Sequence, residues 1–244
     1  MNLIIDIGNT TAKLAIYDGN ALIFSDKAKS ETAAIIQMAE AAADRFAVQN
    51  CIISSVSLPY DAIQAPLQSV AGTVIRLDSS TKIPIANRYS TPETLGKDRL
   101  AAAVGATVLF PGTSCLVIDA GTAITYDYIK DGAEYLGGNI SPGCRTRFKA
   151  LERYSKSLPL VDTPEKISPE GHSIQGSIES GVISGIMFEI EGYTRLRPEN
   201  IVIFTGGDAI YFAKKMKNSI FVVCNLVLMG LALITDDYVK KNLK

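Results

Sequence analysis

The sequence predicts an α/β protein of two similar halves with a cleft between them, and two observations carry that prediction. An acidic turn occurs twice, 113 residues apart: Leu3-Ile4-Ile5-Asp6-Ile7-Gly8-Asn9-Thr10-Thr11 and Leu116-Val117-Ile118-Asp119-Ala120-Gly121-Thr122-Ala123. The order of elements around the turn, three short strands and then alternating helices and strands, also occurs twice. Parallel strands need helical crossovers, so each half is expected to cover its sheet with helices. The halves are expected at residues 1–114 and 115–244, joined near Gly112-Thr113-Ser114. A chain of 244 residues, 47% hydrophobic, is long enough for two such cores.

In chain order, residues 3–8, 12–18 and 21–26 read as short strands joined by the turns at Gly8-Asn9-Thr10 and Asp18-Gly19-Asn20. Residues 31–46 place Ala34, Ile35, Met38 and Ala42 at helical spacing, with Ser30 as the expected N-cap. Residues 51–56 predict a buried strand, 59–70 a helix opened by Pro59, and 73–77 a strand. Residues 83–95 are a proline-containing loop, and 97–110 an alanine-rich helix stopped by Pro111-Gly112. The second half gives strands at 116–119, 123–129 and 134–140 and a helix at 143–154. A polar loop at 155–169 and a long helix at 173–194 follow. A strand at 201–205, a helix at 208–216, a strand at 220–223 and a closing helix at 226–241 complete it.

Composition excludes several classes. The net charge of −1 and the dispersed lysines and arginines offer no nucleic-acid footprint. The apolar run 220–234 is interrupted and too short for a membrane span, and the short apolar start at 1–5 is no signal peptide. Four cysteines (Cys51, Cys115, Cys144, Cys224) without a C-x-x-C pair, and the single His172, give zinc almost no ligands. Reduced, buried thiols in a cytoplasmic protein are the expectation, and His172 reads as a surface or capping residue.

Five segments carry chemistry. In 6–13, Gly8 lets backbone approach a ligand, successive N–H groups form an anion nest, and Thr10 and Thr11 add hydroxyls. Asp6 at the strand end is suited to a hydrated Mg2+, and Lys13 to the charge of a phosphate. Asp119-Ala120-Gly121-Thr122 repeats the device, with Asp119 a candidate cation ligand. Gly96-Lys97-Asp98-Arg99 opens a helix: aspartate suits its first turn, whereas arginine opposes the dipole and points to an anionic or polar substrate. Asp98 is placed to take a proton from a hydroxyl. Gly137-Gly138 with Pro142-Gly143, and Thr205-Gly206-Gly207-Asp208, leave room for an adenosine or its phosphates. Tyr89, in the loop before Gly96, is the aromatic residue of interest. Neither a Walker loop nor a G-x-G-x-x-G is present, which removes P-loop kinases and dinucleotide enzymes.

Together, and in this order, these motifs resemble type III pantothenate kinase over nearly the whole chain. The resemblance implies two ribonuclease-H-like halves, as in the acetate kinase, sugar kinase, Hsp70 and actin superfamily. It implies ATP-dependent phosphorylation of pantothenate, the first step toward coenzyme A, in a cytoplasmic homodimer with its substrate site at the interface. Mg2+ and a monovalent cation, K+ or NH4+, are implied cofactors. By the same resemblance Asp6, Ile7, Gly8, Asn9, Thr10, Thr11, Ala12 and Lys13 form the phosphate segment, and Thr122 is a further ATP contact. Tyr89, Gly96, Lys97, Asp98 and Arg99 contact pantothenate, Asp98 is the base and Asp119 the monovalent-cation ligand. Two positions depart from the family. Ile174 stands where a pantothenate-touching threonine is expected, with Ser173 as a possible substitute, and Cys224-Asn225-Leu226 lacks an expected aspartate. The rival readings are a non-catalytic nucleotide-binding regulator on the same fold, which would not require Asp98 with Arg99, and a small sugar kinase.

Overall fold

The strand β1 (Asn2–Ile7) is buried at every position except Asp6, as a central strand covered on both faces should be. The computed structural model describes residues 1–216 and 219–242. In it, β1 pairs antiparallel with β2 (Thr11–Asp18) and parallel with β4 (Asn50–Ser55). β3 (Ala21–Lys29) and β5 (Thr73–Arg76) complete a sheet of order β3-β2-β1-β4-β5. Helix α1 (Thr32–Ala43) lays Ile35, Met38, Ala39 and Ala42 into the core with Leu3, Ile5, Leu14 and Ile53.

Two expected helix starts are corrected here. Glu31, not Ser30, precedes α1, and it makes no side-chain cap. The Ser30 hydroxyl instead donates to the Gly8 carbonyl at 2.7 Å, so it tethers the acidic turn. Helix α2 (Asp61–Leu67) starts after Pro59 and includes Pro66; it is shorter than the expected 59–70 because Ser69 and Val70 donate to the Pro66 and Leu67 carbonyls in tighter turns. The loop before α3 (Lys97–Leu109) contains a short strand, β6 (Ala86–Asn87).

The second sheet runs in the order β11-β10-β7-β8-β9-β6. Its strands are β7 (Cys115–Ala120), β8 (Ala123–Lys130), β9 (Glu134–Pro142), β10 (Ile201–Thr205) and β11 (Ile220–Val222). Its helices are α4 (Cys144–Tyr154), α5 (Ile174–Leu196) and the short α6 (Ala209–Ala213). β7 has the burial pattern of β1, and β8 that of β2, position for position. The repeat legible in the turns is therefore a repeat of whole hairpins.

The chain divides into two compact units, but not at a single point. The first holds residues 1–112, 132–136 and 225 onward; the second holds 113–131 and 137–224. The last helix, α7 (Leu226–Asn242), thus falls in the first unit, whereas the expected division at 1–114 and 115–244 put it with the second half. The reason is packing. α7 lies along α3 and against β1, β2 and β4, with Leu226, Leu231 and Ile234 fully buried. At Gly230 the helix comes so close that an added Cβ would sit 1.7 Å from the Ala101 carbonyl.

Candidate active site

In the first unit the acidic turn is pinned by hydroxyls. Gly8 donates its N–H to the Thr11 carbonyl at 3.1 Å, and its own carbonyl accepts from Ser30 and Ser57, each at 2.7 Å. Asn9, Thr10 and Thr11 are exposed. The side chains of Ile7 and Ala12 are fully buried, so only their backbone is available to a ligand. Asp6 is partly buried and in register with Lys13 on β2 and Ser54 on β4. Burial, and secondly the negative charge of Asp98, push its carboxyl up to about 6, against the pull of the Ser54 hydroxyl and Lys13. Burial and a like charge both disfavour ionisation of Asp6, and a bound cation would offset them.

Asp98 lies in the first turn of α3 and accepts the Arg99 N–H on Oδ1 at 2.9 Å. Gly96 makes this placement possible, since a Cβ there would lie 2.6 Å from the same Oδ1. Arg99 is buried, with its guanidinium 6.0 Å from the centre of the Tyr89 ring. That ring lies tilted by 40° against Tyr135, with centroids 6.3 Å apart, and Asn87 Oδ1 accepts the Tyr89 N–H at 3.0 Å. Lys97 turns back, donating to the Pro92 carbonyl at 3.2 Å, and burial lowers its pKa. Asp6, Lys13 and Asp98 therefore belong to one electrostatic group, while Lys97 is held to its own loop.

The second unit repeats the turn with one residue fewer. The Gly121 N–H donates to the Ala123 carbonyl at 3.0 Å, matching the bond at Gly8. Asp119 is partly buried and in register with Thr205 on β10, as Asp6 is with Ser54. The exposed Thr122 offers its carbonyl to the Gly143 N–H at 3.0 Å and to Thr146 Oγ1 at 2.7 Å, which ties the turn to the start of α4. Gly206, at φ +92°, leaves room for the acid, since a Cβ there would lie 2.3 Å from Asp119 Oδ1. Asp208 donates its N–H to the Ala120 carbonyl at 2.9 Å, and burial raises its carboxyl pKa.

Ile174 opens α5 with its side chain 60% exposed, at the rim of an apolar groove of about 930 Å³. Leu151, Tyr154, Leu158 and Ile178 line the groove. The neighbouring Ser173 caps the helix, accepting the Gly176 N–H at 3.0 Å, so only its O–H remains to replace the expected threonine. His172 is exposed. Cys51, Cys115 and Cys144 are buried as expected, but Cys224 is exposed, because it precedes α7 and contributes to neither sheet.

Among the described residues no cluster of three His, Cys, Asp or Glu side chains could enclose a metal. A divalent ion here would need water and phosphate oxygens to complete its shell, which is the usual habit of Mg2+ with nucleotides. Sequence reasoning overlooked Ser54 and Ser57 beside the turns, and it gave Ser30 and Thr205 other roles, an N-cap and part of a glycine-rich ligand turn. The available signal was a Ser or Thr closing an otherwise apolar parallel strand, as in Cys51-Ile52-Ile53-Ser54 and Val202-Ile203-Phe204-Thr205.

Comparison with known proteins gives the family. The family profile of type III pantothenate kinase matches residues 2–196. A type III pantothenate kinase of Phocaeicola vulgatus is 44% identical over 235 residues, 95% of this chain and 96% of that one. That of Bacteroides fragilis strain YCH46 is 42% identical over the same shares. Among solved structures, a Baf family transcriptional activator from Campylobacter jejuni superposes with TM-score 0.64 at 23% identity, covering 98% of each chain. A ROK hexokinase from Thermus thermophilus gives TM-score 0.56 at 15% identity, covering 97% of this chain and 99% of that one. At such identities the last two speak for the fold alone.

Proposed function

This chain belongs to the type III pantothenate kinase family, and we propose that Asp6, Asp98 and Asp119 carry its reaction. The enzyme phosphorylates pantothenate with ATP, giving 4′-phosphopantothenate at the first step of coenzyme A biosynthesis. Relatives of this identity over nearly the full chain set aside the regulator and sugar-kinase readings.

The observation that carries the residue roles is the partly buried Asp6 carboxyl at the end of β1, raised by burial and secondly by the charge of Asp98 at the start of α3. Phosphoryl transfer needs alignment and charge stabilisation more than covalent help. Asp6 would hold a hydrated Mg2+, whose charge balances the phosphates of ATP. The exposed turn 8–11 offers backbone and hydroxyls to those phosphates, and Lys13 adds positive charge. Asp98, fixed through the Arg99 N–H, orients the primary hydroxyl of pantothenate and takes its proton late in the transfer. Tyr89, Gly96, Lys97 and Arg99 shape the substrate site, with the Arg99 guanidinium for the polar end of pantothenate.

Asp119 would bind a monovalent cation, K+ or NH4+, with Thr122 as a further nucleotide contact. Its register with Thr205 and the space that Gly206 leaves for its Oδ1 support a fixed carboxylate of that kind. The assembly is a homodimer in this reading. Support comes from the exposed apolar side chains Tyr154, Ile174 and Phe188 on α4 and α5, a concentration unusual for a free surface. Four free cysteines suit a cytoplasmic enzyme.

The test is purified protein with Mg-ATP, K+ and pantothenate, followed by detection of 4′-phosphopantothenate and ADP, with sedimentation for the dimer. Equal rates in Na+ and K+ would remove the cation role of Asp119. Absence of product under all ionic conditions would remove the assignment of these residues.

A further inference from the structure

Each of the two acids that end a central strand faces a buried hydroxyl on the neighbouring parallel strand. Asp6 on β1 is in register with Ser54 on β4, and Asp119 on β7 with Thr205 on β10. In-register neighbours of a parallel pair point their side chains to the same face across less than about 5 Å. Ser54 is wholly buried and Thr205 is 1% exposed. One register step earlier the partners are purely apolar, Ile5 with Ile53 and Ile118 with Phe204. A hydroxyl thus enters each buried strand at the position that faces the acid.

A buried hydroxyl is costly there. Ser54 Oγ has no hydrogen-bond partner of ordinary geometry, a deficit of about 1–3 kcal/mol that an alanine would avoid. The polar group beside it is the Asp6 carboxylate, whose pKa the Ser54 hydroxyl draws down. In the second unit Gly206, which follows Thr205, leaves the space beside the acid that Asp119 Oδ1 occupies, since a Cβ there would lie 2.3 Å from it. The two units therefore use one arrangement on matching elements, and chance placement of a polar atom does not explain both.

We propose that Ser54 and Thr205 are positioning residues. Ser54 donates its O–H to one oxygen of Asp6, leaving the other aimed at the Mg2+ shell, and Thr205 does the same for Asp119 and its monovalent cation. This rests on the metal roles given above for Asp6 and Asp119. Neither hydroxyl touches substrate, and each acts by fixing the rotamer of its acid. Partners of that kind change metal affinity by roughly 10–100-fold when removed.

The test uses the full chain and measures Mn2+ binding, by electron paramagnetic resonance, in the presence of a non-hydrolysable ATP analogue. Ser54→Ala is expected to weaken Mn2+ binding about tenfold and lower kcat with the pantothenate KM unchanged, while Ser54→Thr restores both. Thr205→Val is expected to leave Mn2+ binding intact and to raise the K+ concentration for half-activation, with Thr205→Ser restoring it. Should Ser54→Ala fail to fold, Ser54→Cys, a weak donor of similar size, takes its place with the same expected loss. Mn2+ affinity within twofold of the parent in Ser54→Ala or Ser54→Cys, while Asp6→Asn loses it, would overturn the positioning role of Ser54 alone, and an unchanged K+ requirement in Thr205→Val would overturn that of Thr205. Retained affinity in Asp6→Asn would overturn the metal role of Asp6 and this inference with it.

Discussion

Asp6 is held in two conditions that oppose its charge, a buried position and the neighbouring Asp98. Its carboxyl rises from 3.8 to about 6 in the folded chain. The folded state therefore binds this proton more tightly than the unfolded state does. The stability that comes with the proton is complete below pH 3.8 and is lost as pH rises through about 6. The loss is on the order of 3 kcal/mol. Denaturant unfolding without nucleotide should show the parent falling behind Asp6→Asn between pH 4 and 7. A gap that stays constant over that range would show a normally titrating carboxyl. At Asp98 the expectation concerns rate. Asp98→Asn should lower kcat by roughly 10²-fold or more with little change in KM, as lost general-base help requires. Parental turnover by that variant would end the assignment. These acids were legible in the sequence because a carboxylate at a strand end or helix start leaves a local pattern. Ser54 and Thr205 were not, since their meaning comes from a register between strands more than forty residues apart.

At the scale of elements, the two hairpins were legible because each keeps its alternation of apolar and polar residues within a few positions. The helix ends were less so. Ser30 has the chemistry of an N-cap but is used at 2.7 Å on the Gly8 carbonyl, a choice made by the tertiary fold. The glycines of α3 and α7 carry a message that a single helix cannot show. Gly105 and Gly230 let two helix backbones touch, and a Cβ at 105 would lie 2.7 Å from the Leu226 carbonyl. Replacing Gly230 by alanine must push α7 off α3, because backbone rather than a movable side chain stands in the way. The expected cost is about 2–3 kcal/mol, despite the better helix propensity of alanine. Thermal unfolding measures it, and an unchanged midpoint would mean that the helices separate freely.

At the scale of the whole molecule, the fold class was legible from the repeated order of elements, and the closing helix was not. Nothing in residues 226–241 states which sheet their apolar faces will cover. The consequence for folding is specific. A fragment of residues 1–114 contains the first sheet but lacks α7, which buries Leu226, Leu231 and Ile234. It should be largely unfolded by circular dichroism, and a chain in which 225–242 is fused to that fragment should recover a cooperative transition. Cooperative unfolding of the bare fragment would mean that α7 contributes little. The exposed Cys224 stands immediately before this helix, whereas burial raises the pKa of Cys51, Cys115 and Cys144. A maleimide dye at neutral pH should therefore attach at one place only. The native chain thus supplies its own spectroscopic handle at the seam where the polypeptide leaves the second unit for the first, and fraying of the last helix could be watched in real time without engineering a single residue.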